Sequence, residues 1–214
     1  MTVVYTAIYG GYDTLKPHLD HPGVEQWICY TDDPQLDGTP GWDVRGAVGD
    51  LKHPRMDAKW WKCHPPAGES SIWIDGSMEI VDSEFFTTML VLLEDDEMVM
   101  WPHPSRSSIV DEARVSENMA KYQGLPVVQQ AHHYCNEWGF DDRSLWATTT
   151  IGRRHNRQTD RLGAAWFAEC ERWTYQDQIS LPPLLKRYSI TPAALPYSLW
   201  RNPWWRLHGH ASDL

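Results

Sequence analysis

Ser71-Ile72-Trp73-Ile74-Asp75-Gly76-Ser77-Met78-Glu79-Ile80 is the stretch whose reading decides the fold. Its first half is apolar and rich in β-formers, as a strand covered on both faces of a parallel sheet must be. It then delivers one carboxylate, Asp75, at an Asp-Gly pair where the chain has to turn. Open α/β sheets place ligands just beyond the carboxyl ends of their strands. A divalent cation accompanying a diphosphate needs one or two hard carboxylate oxygens and fills its other positions with phosphate and water. Asp75 is therefore a candidate ligand for such an ion, Gly76 lets the backbone approach closely, and Ser77 offers a second oxygen.

Working outward, strands alternate with helices. Strands are expected at 3–8, 26–30, 42–45, 72–75, 98–101 and 145–151, and helices at 57–63, 84–93, 108–122, 126–138, 159–173 and 177–188. Strands interleaved with helices imply a mostly parallel twisted sheet layered on both faces by helices, an α/β fold. Polar groups recur at successive strand ends: Tyr9-Gly10-Gly11-Tyr12-Asp13, Thr31-Asp32-Asp33, Asp75-Gly76-Ser77 and His103-Pro104-Ser105-Arg106. The Gly-x-Gly-x-x-Gly fingerprint is missing, which disfavours a dinucleotide dehydrogenase. Asp32 or Asp33, ending the second strand, is placed to accept hydrogen bonds from a base or ribose.

At 214 residues the chain suits one domain around a single core. Four widely spaced cysteines form no Cys-x-x-Cys pair, so reduced, buried thiols are expected. The start reads as no signal peptide, and no stretch reaches spanning length, so a cytoplasmic protein is expected. The net charge of −10 argues against nonspecific nucleic-acid binding. That charge is uneven: residues 1–100 hold 6 Lys/Arg against 18 Asp/Glu, and residues 101–214 hold 13 against 11. Arg153, Arg154, Arg157 and Arg161 fall near helical spacing and read as one cationic face. There are 13 tryptophans. Most must be core, but the flat ring also suits a sugar face or a nucleobase. In the pairs Trp60-Trp61 and Trp204-Trp205, one member of each is expected at a rim.

The ordered blocks Val4-Tyr5-Thr6-Ala7-Ile8-Tyr9-Gly10-Gly11-Tyr12-Asp13, Cys29-Tyr30-Thr31-Asp32, His53-Pro54-Arg55 with Ala58-Lys59-Trp60-Trp61-Lys62, Ile72-Trp73-Ile74-Asp75-Gly76-Ser77, His103-Pro104-x-Arg106, Arg154-His155-Asn156 and Asp177-Gln178-Ile179-Ser180 span most of the chain. Together they resemble a family of glycosyltransferase-like domains from bacteria, phages and plants, regarded as having the GT-A fold. Where members usually read Arg-Asp-Gln, this chain has Gln176-Asp177-Gln178.

That resemblance implies a single GT-A-like domain over 1–214, with about 1–100 on the donor side, about 101–200 on the acceptor side and 201–214 a tail suited to a lid. It implies a nucleotide-sugar donor, expected to be a UDP-sugar, lying on Thr6, Tyr9, Gly10, Tyr12, Asp32, Arg55, Lys59, Lys62, Asp75 and Gly76. Mn²⁺ or Mg²⁺ would be held by Asp75 and Ser77, with His208 or His210 of the tail as further ligands. Asp177 is the first candidate for a base taking the acceptor's proton and His103 the second, the alternative for Asp177 being a first-turn helix carboxylate. His103, Arg106, Arg154, His155 and Gln178 are expected at the acceptor, which could be a glycan, a protein, a small molecule or a modified DNA base. Two other functions use the same features: a metal-dependent nucleotidyltransferase or phosphoesterase, and a non-catalytic carbohydrate-binding module.

Overall fold

A computed structural model describes residues 1–47, 51, 53–141 and 143–209. The chain runs β1 (Thr2–Ile8), β2 (Gln26–Thr31), β3 (Asp43–Gly46), α1 (Pro54–Cys63), β4 (Ser70–Ile74), β5 (Met78–Ile80), α2 (Glu84–Asp95), β6 (Met98–Pro102), α3 (Ile109–Glu117), α4 (Val127–Glu137), β7 (Trp146–Arg154), α5 (Arg157–Arg172), α6 (Asp177–Arg187), β8 (Ala193–Ala194) and β9 (Trp205–Leu207). Seven strands make one sheet in the order β3-β2-β1-β4-β7-β6-β8. The β1, β2, β3 and β4 pairings are parallel, as is β6 with β8, and only β7 runs against its neighbours. The fold is thus the expected α/β class, with β1 and β4 central and their carboxyl ends opening on the same edge.

Alternation along the central strands builds a core on each face. Val3, Tyr5 and Ala7 of β1 pack with Trp73, Leu162, Trp166 and Leu181 beneath α1, α5 and α6. Val4 faces the other way, into Ile72, Phe85, Phe86, Met89 and Trp101 under α2. A third cluster, centred on Ile109, Val127, Tyr134 and Ile179, joins α3, α4 and α6 into a side lobe. Gly163 of α5 lies so close to α1 that a Cβ there would stand 2.1 Å from the Cys63 carbonyl oxygen.

Several expectations are corrected. The helix expected over 108–122 ends at Glu117, where Asn118 caps it, and Ala120–Tyr122 is a separate short turn. The strand expected to end at Ile151 runs on to Arg154, so Arg153 and Arg154 share no helix with Arg157 and Arg161. Arg153 is buried, and donates to the Lys62 and Cys63 carbonyls at the negative end of α1. Trp60 is 42% exposed, as expected of one member of its pair, but Trp204 and Trp205 are both buried. β9 pairs with β5 outside the main sheet, so Trp204 packs on Phe85 while Trp205 reaches Trp101. No helix among the described residues is long and apolar enough to cross a membrane.

Burial also sets an alkaline limit. It pushes the Cys29 and Cys63 thiols and the Tyr5 hydroxyl up to about 12. The unfolded chain ionises these groups first, so their contribution is intact below the unfolded pKa and lost as pH rises toward 12. The unfolding free energy from denaturant titrations should therefore fall from about pH 9 upward, by roughly 1.4 kcal/mol per pH unit for each fully shifted group. Cys29→Ala should shallow that slope; an unchanged slope would refute the assignment.

Candidate functional site

α1 carries the cations of the site. Its start is fixed by His53, whose side chain accepts from the Arg55 N–H, and by Pro54 at the first position. Arg55, Lys59 and Lys62 then follow at four- and three-residue steps and share one helix face. That face looks across the carboxyl ends of β1 and β4 into a cavity of about 310 Å³, whose other walls include Tyr12, Asp13, Asp75, Lys121, Tyr175 and Asp177.

At its floor the charges form a chain. Lys62 Nζ lies 3.2 Å from Asp75 Oδ1 and 3.0 Å from Asp177 Oδ2, and Lys59 Nζ lies 2.6 Å from Asp177 Oδ2. Asp75 also accepts from Trp73 Nε1 at 2.6 Å, and Asp177 Oδ1 from Thr148 Oγ1 at 3.0 Å. The Lys62 side chain is 1% exposed and that of Asp177 3%, whereas Asp75 is 30% exposed and faces the cavity. Burial alone would raise the Asp177 pKa, but the ammoniums of Lys59 and Lys62 hold it well below the ordinary carboxylate range. Lys59 is likewise held above its ordinary value by Asp177 and Asp75 despite burial. Lys121 is lowered, by burial and then by Lys59 and Arg55, a sign of how many cations crowd this space.

A carboxylate shared by two ammoniums and a hydroxyl has little affinity for another proton, so the arrangement around Asp177 suits a brace for Lys59 and Lys62 better than the expected base. His103 is no better suited. Its Nδ1 accepts from the Ser105 and Arg106 N–H groups, and its Nε2 faces the Arg106 guanidinium and Glu112. Burial lowers its pKa.

The other predicted donor residues divide. Arg55 lines the cavity with its guanidinium 4.3 Å from the centre of the Tyr12 ring, and Tyr12 and Gly76 line it too. Tyr9 is buried, its hydroxyl accepting from Trp61 Nε1, and Thr6 abuts a separate void of about 20 Å³ beneath Asp75. Gly10 sits at φ 62°, a conformation glycine adopts freely, and its N–H donates to both Asp32 oxygens. Asp32 thus clasps the first turn, while also edging a neighbouring hollow at the ends of β2 and β3. Asp33 caps the following turn through Gln35 N–H.

Of the expected acceptor residues, His103, Arg106 and Gln178 line a second hollow that adjoins the first cavity. Arg154 and His155 do not join them. Ser70 pairs with Arg154 and Ile74 with Thr150, so both lie at the opposite end of β4 from Asp75. There Arg154 donates to the Glu94 and Asp95 carbonyls, and His155 bonds Gly68 O and Ser71 Oγ.

For a divalent ion the donor set is hard oxygen: Asp75, Asp13 and the Ser77 side of the turn all line the cavity. A Cβ on Gly76 would fall 2.9 Å from Asp13 Cβ, so the glycine is what admits Asp13 beside Asp75. Two carboxylates fit an ion that keeps waters and takes phosphate oxygens. No group of three or more His, Cys, Asp or Glu suited to a metal occurs among the described residues. His208 does not complete one, because its Nε2 lies 2.7 Å from Glu79 Oε2. His210 lies outside the described residues.

Lys121, Thr148 and Thr149, which no sequence motif singled out, also line the site, as do Asp13 of the first strand-end turn and Trp200 of the tail. The run Ala147-Thr148-Thr149-Thr150, polar inside a strand, was a usable signal. Lys121 carries none, since it reaches the site from the short Ala120–Tyr122 turn.

A family model described as TOD1/MUCI70, glycosyltransferase-like domain, matches residues 63–198. No curated protein matches the chain. Among solved structures, the apo WbbM bifunctional glycosyltransferase aligns at 9% identity and a TM-score of 0.46, over 91% of this chain and 38% of that one. CMP:2-keto-3-deoxy-manno-octonic acid synthetase complexed with CTP aligns at 14% identity and a TM-score of 0.48, over 91% of this chain and 88% of that one. The chain thus spans little more than a third of the first of these.

Proposed function

The chain belongs to the TOD1/MUCI70 glycosyltransferase-like domain family, and from that premise we propose that it transfers a sugar from a nucleoside diphosphate sugar, with a UDP-sugar as the expected donor, to an acceptor hydroxyl. The observation that carries this reading is the cluster of Arg55, Lys59, Lys62 and Lys121 lining one cavity with Asp75. Four cations against three carboxylates make a wall suited to a diphosphate, and the volume of about 310 Å³ falls in the range of ligand pockets.

In the reaction the acceptor oxygen bonds to the anomeric carbon, and the bond from that carbon to the diphosphate oxygen breaks with its electron pair passing to the diphosphate. One proton is released to solvent. Negative charge grows on the departing diphosphate, and donors fixed in a largely buried site stabilise it without having to reorganise. Lys59 and Lys62 are so fixed, because Asp177 holds both ammoniums before the donor arrives. Mn²⁺ or Mg²⁺, held by Asp75 and Asp13, would add further neutralisation of that charge.

Thermal shift with UDP, CDP, GDP and ADP, each with and without Mn²⁺, tests the reading. A nucleoside diphosphate at a hundred times its Kd should stabilise the fold by about 2.7 kcal/mol, roughly 5–10 °C for a chain of this size. Release of nucleoside diphosphate from the matching sugar donor separates glycosyl transfer from nucleotidyl transfer, which releases pyrophosphate. No shift with any of the four, with or without metal, would overturn the proposal.

A further inference from the structure

The second hollow, of about 160 Å³, shares Lys121, Thr149, Gln178 and Trp200 with the donor cavity. Its position beside the cation wall leaves it as the place where an acceptor would meet the donor sugar. Its chemistry narrows what that acceptor is.

Trp200 stands at the junction, 56% exposed. It is held there by construction. Leu199 beside it is buried, Arg201 N–H donates to the Ser198 carbonyl at 3.0 Å, and Asn202 Nδ2 donates to the Leu199 carbonyl at 3.0 Å. A fixed indole presented at the mouth of a pocket offers a flat face with negative quadrupole, which attracts the weakly positive C–H face of a sugar ring.

Three ionisable groups of this hollow, His103, Arg106 and Glu112, engage one another. Arg106 Nε lies 2.5 Å from Glu112 Oε2, and His103 is bonded at both ring nitrogens. Lys121, on the wall shared with the donor cavity, is the remaining cation. The other polar groups are neutral. Thr149 Oγ1 is buried without a hydrogen-bond partner, and Gln178 donates Nε2 to the Trp146 carbonyl, which leaves its amide oxygen for a ligand. An orphaned hydroxyl and an amide oxygen match sugar hydroxyls rather than phosphates or carboxylates.

We propose that this hollow is the acceptor site and that the acceptor is a neutral sugar ring laid against Trp200, with Thr149 and Gln178 reading its hydroxyls. The proposal rests on the glycosyltransferase reading for the word acceptor, but its ligand chemistry stands on the hollow alone.

Saturation-transfer NMR on the full chain, with UDP present, tests it using methyl β-glucoside, methyl β-galactoside and methyl α-mannoside as probes. At least one should receive saturation from the wild-type protein. Trp200→Ala should weaken that glycoside at least tenfold, Trp200→Phe should retain it within about threefold because a ring face survives, and both variants should melt like wild type. Absence of binding for all three glycosides, an unchanged affinity in Trp200→Ala, or tighter binding of a single-stranded oligonucleotide at the same residue would each overturn it. Failure of UDP to bind the wild-type chain would instead count against the donor reading, and the glycoside measurements would still decide this one.

Discussion

Lys62→Met should lower the melting temperature by roughly 6–12 °C and remove measurable UDP binding. The side chain is 1% exposed and bridges two carboxylates, so its loss leaves Asp177 with one ammonium in place of two and Asp75 with none. Breaking a buried pair by removing one partner costs about 3–5 kcal/mol, and the surviving Lys59 contact puts this case near the lower figure. For a chain of this length each kcal/mol moves the midpoint by roughly 2–4 °C. The pH dependence has a definite sign. A carboxylate held below its ordinary pKa contributes stability above that value and loses it as the pH falls, so the gap between variant and wild type should narrow below about pH 4. Calorimetry at pH 7 and pH 3.5 measures both effects. A change under 2 °C with UDP binding intact would remove Lys62 from the network.

Asp75→Asn should do the opposite, keeping the fold and losing the chemistry. This carboxylate is 30% exposed and borders the cavity, so neutralising it strands no buried charge, and Lys62 keeps Asp177. Melting within about 2 °C of wild type is expected for a change at so open a position. Turnover, followed as UDP released from the donor sugar, should fall by roughly 10²–10³, the usual effect of deleting one fixed electrostatic element of an active site. Activity within tenfold of wild type would place the reaction elsewhere.

The contrast between these residues shows what the sequence could and could not carry. The strand ending at Asp75 was legible from its apolar run and the Asp-Gly turn. Lys59 and Lys62 were legible on the helix expected from Asp57, but Arg55 lay outside it, because the helix begins earlier, at Pro54 behind the His53 cap. Asp177 was found as a site residue, but its partners were not. Whether a first-turn carboxylate is a base or a brace depends on Lys59, 118 positions away, and no local pattern reports such a meeting. Arg154 and His155 were misplaced for a related reason. Motif order does not encode strand direction, and β7 runs against β4, which carries that block to the far end of the sheet. β8 and β9 are two and three residues long, too short to show any period.

The backbone that follows Asp75 has no neighbour in the large sheet. It is zippered instead to Trp205–Leu207, and the Glu79–His208 contact spans 129 positions. Closing so long a loop is entropically slow compared with forming helices and adjacent strands. During refolding, circular dichroism should therefore recover ahead of nucleotide capture: the molecule gains its shape first and its competence last.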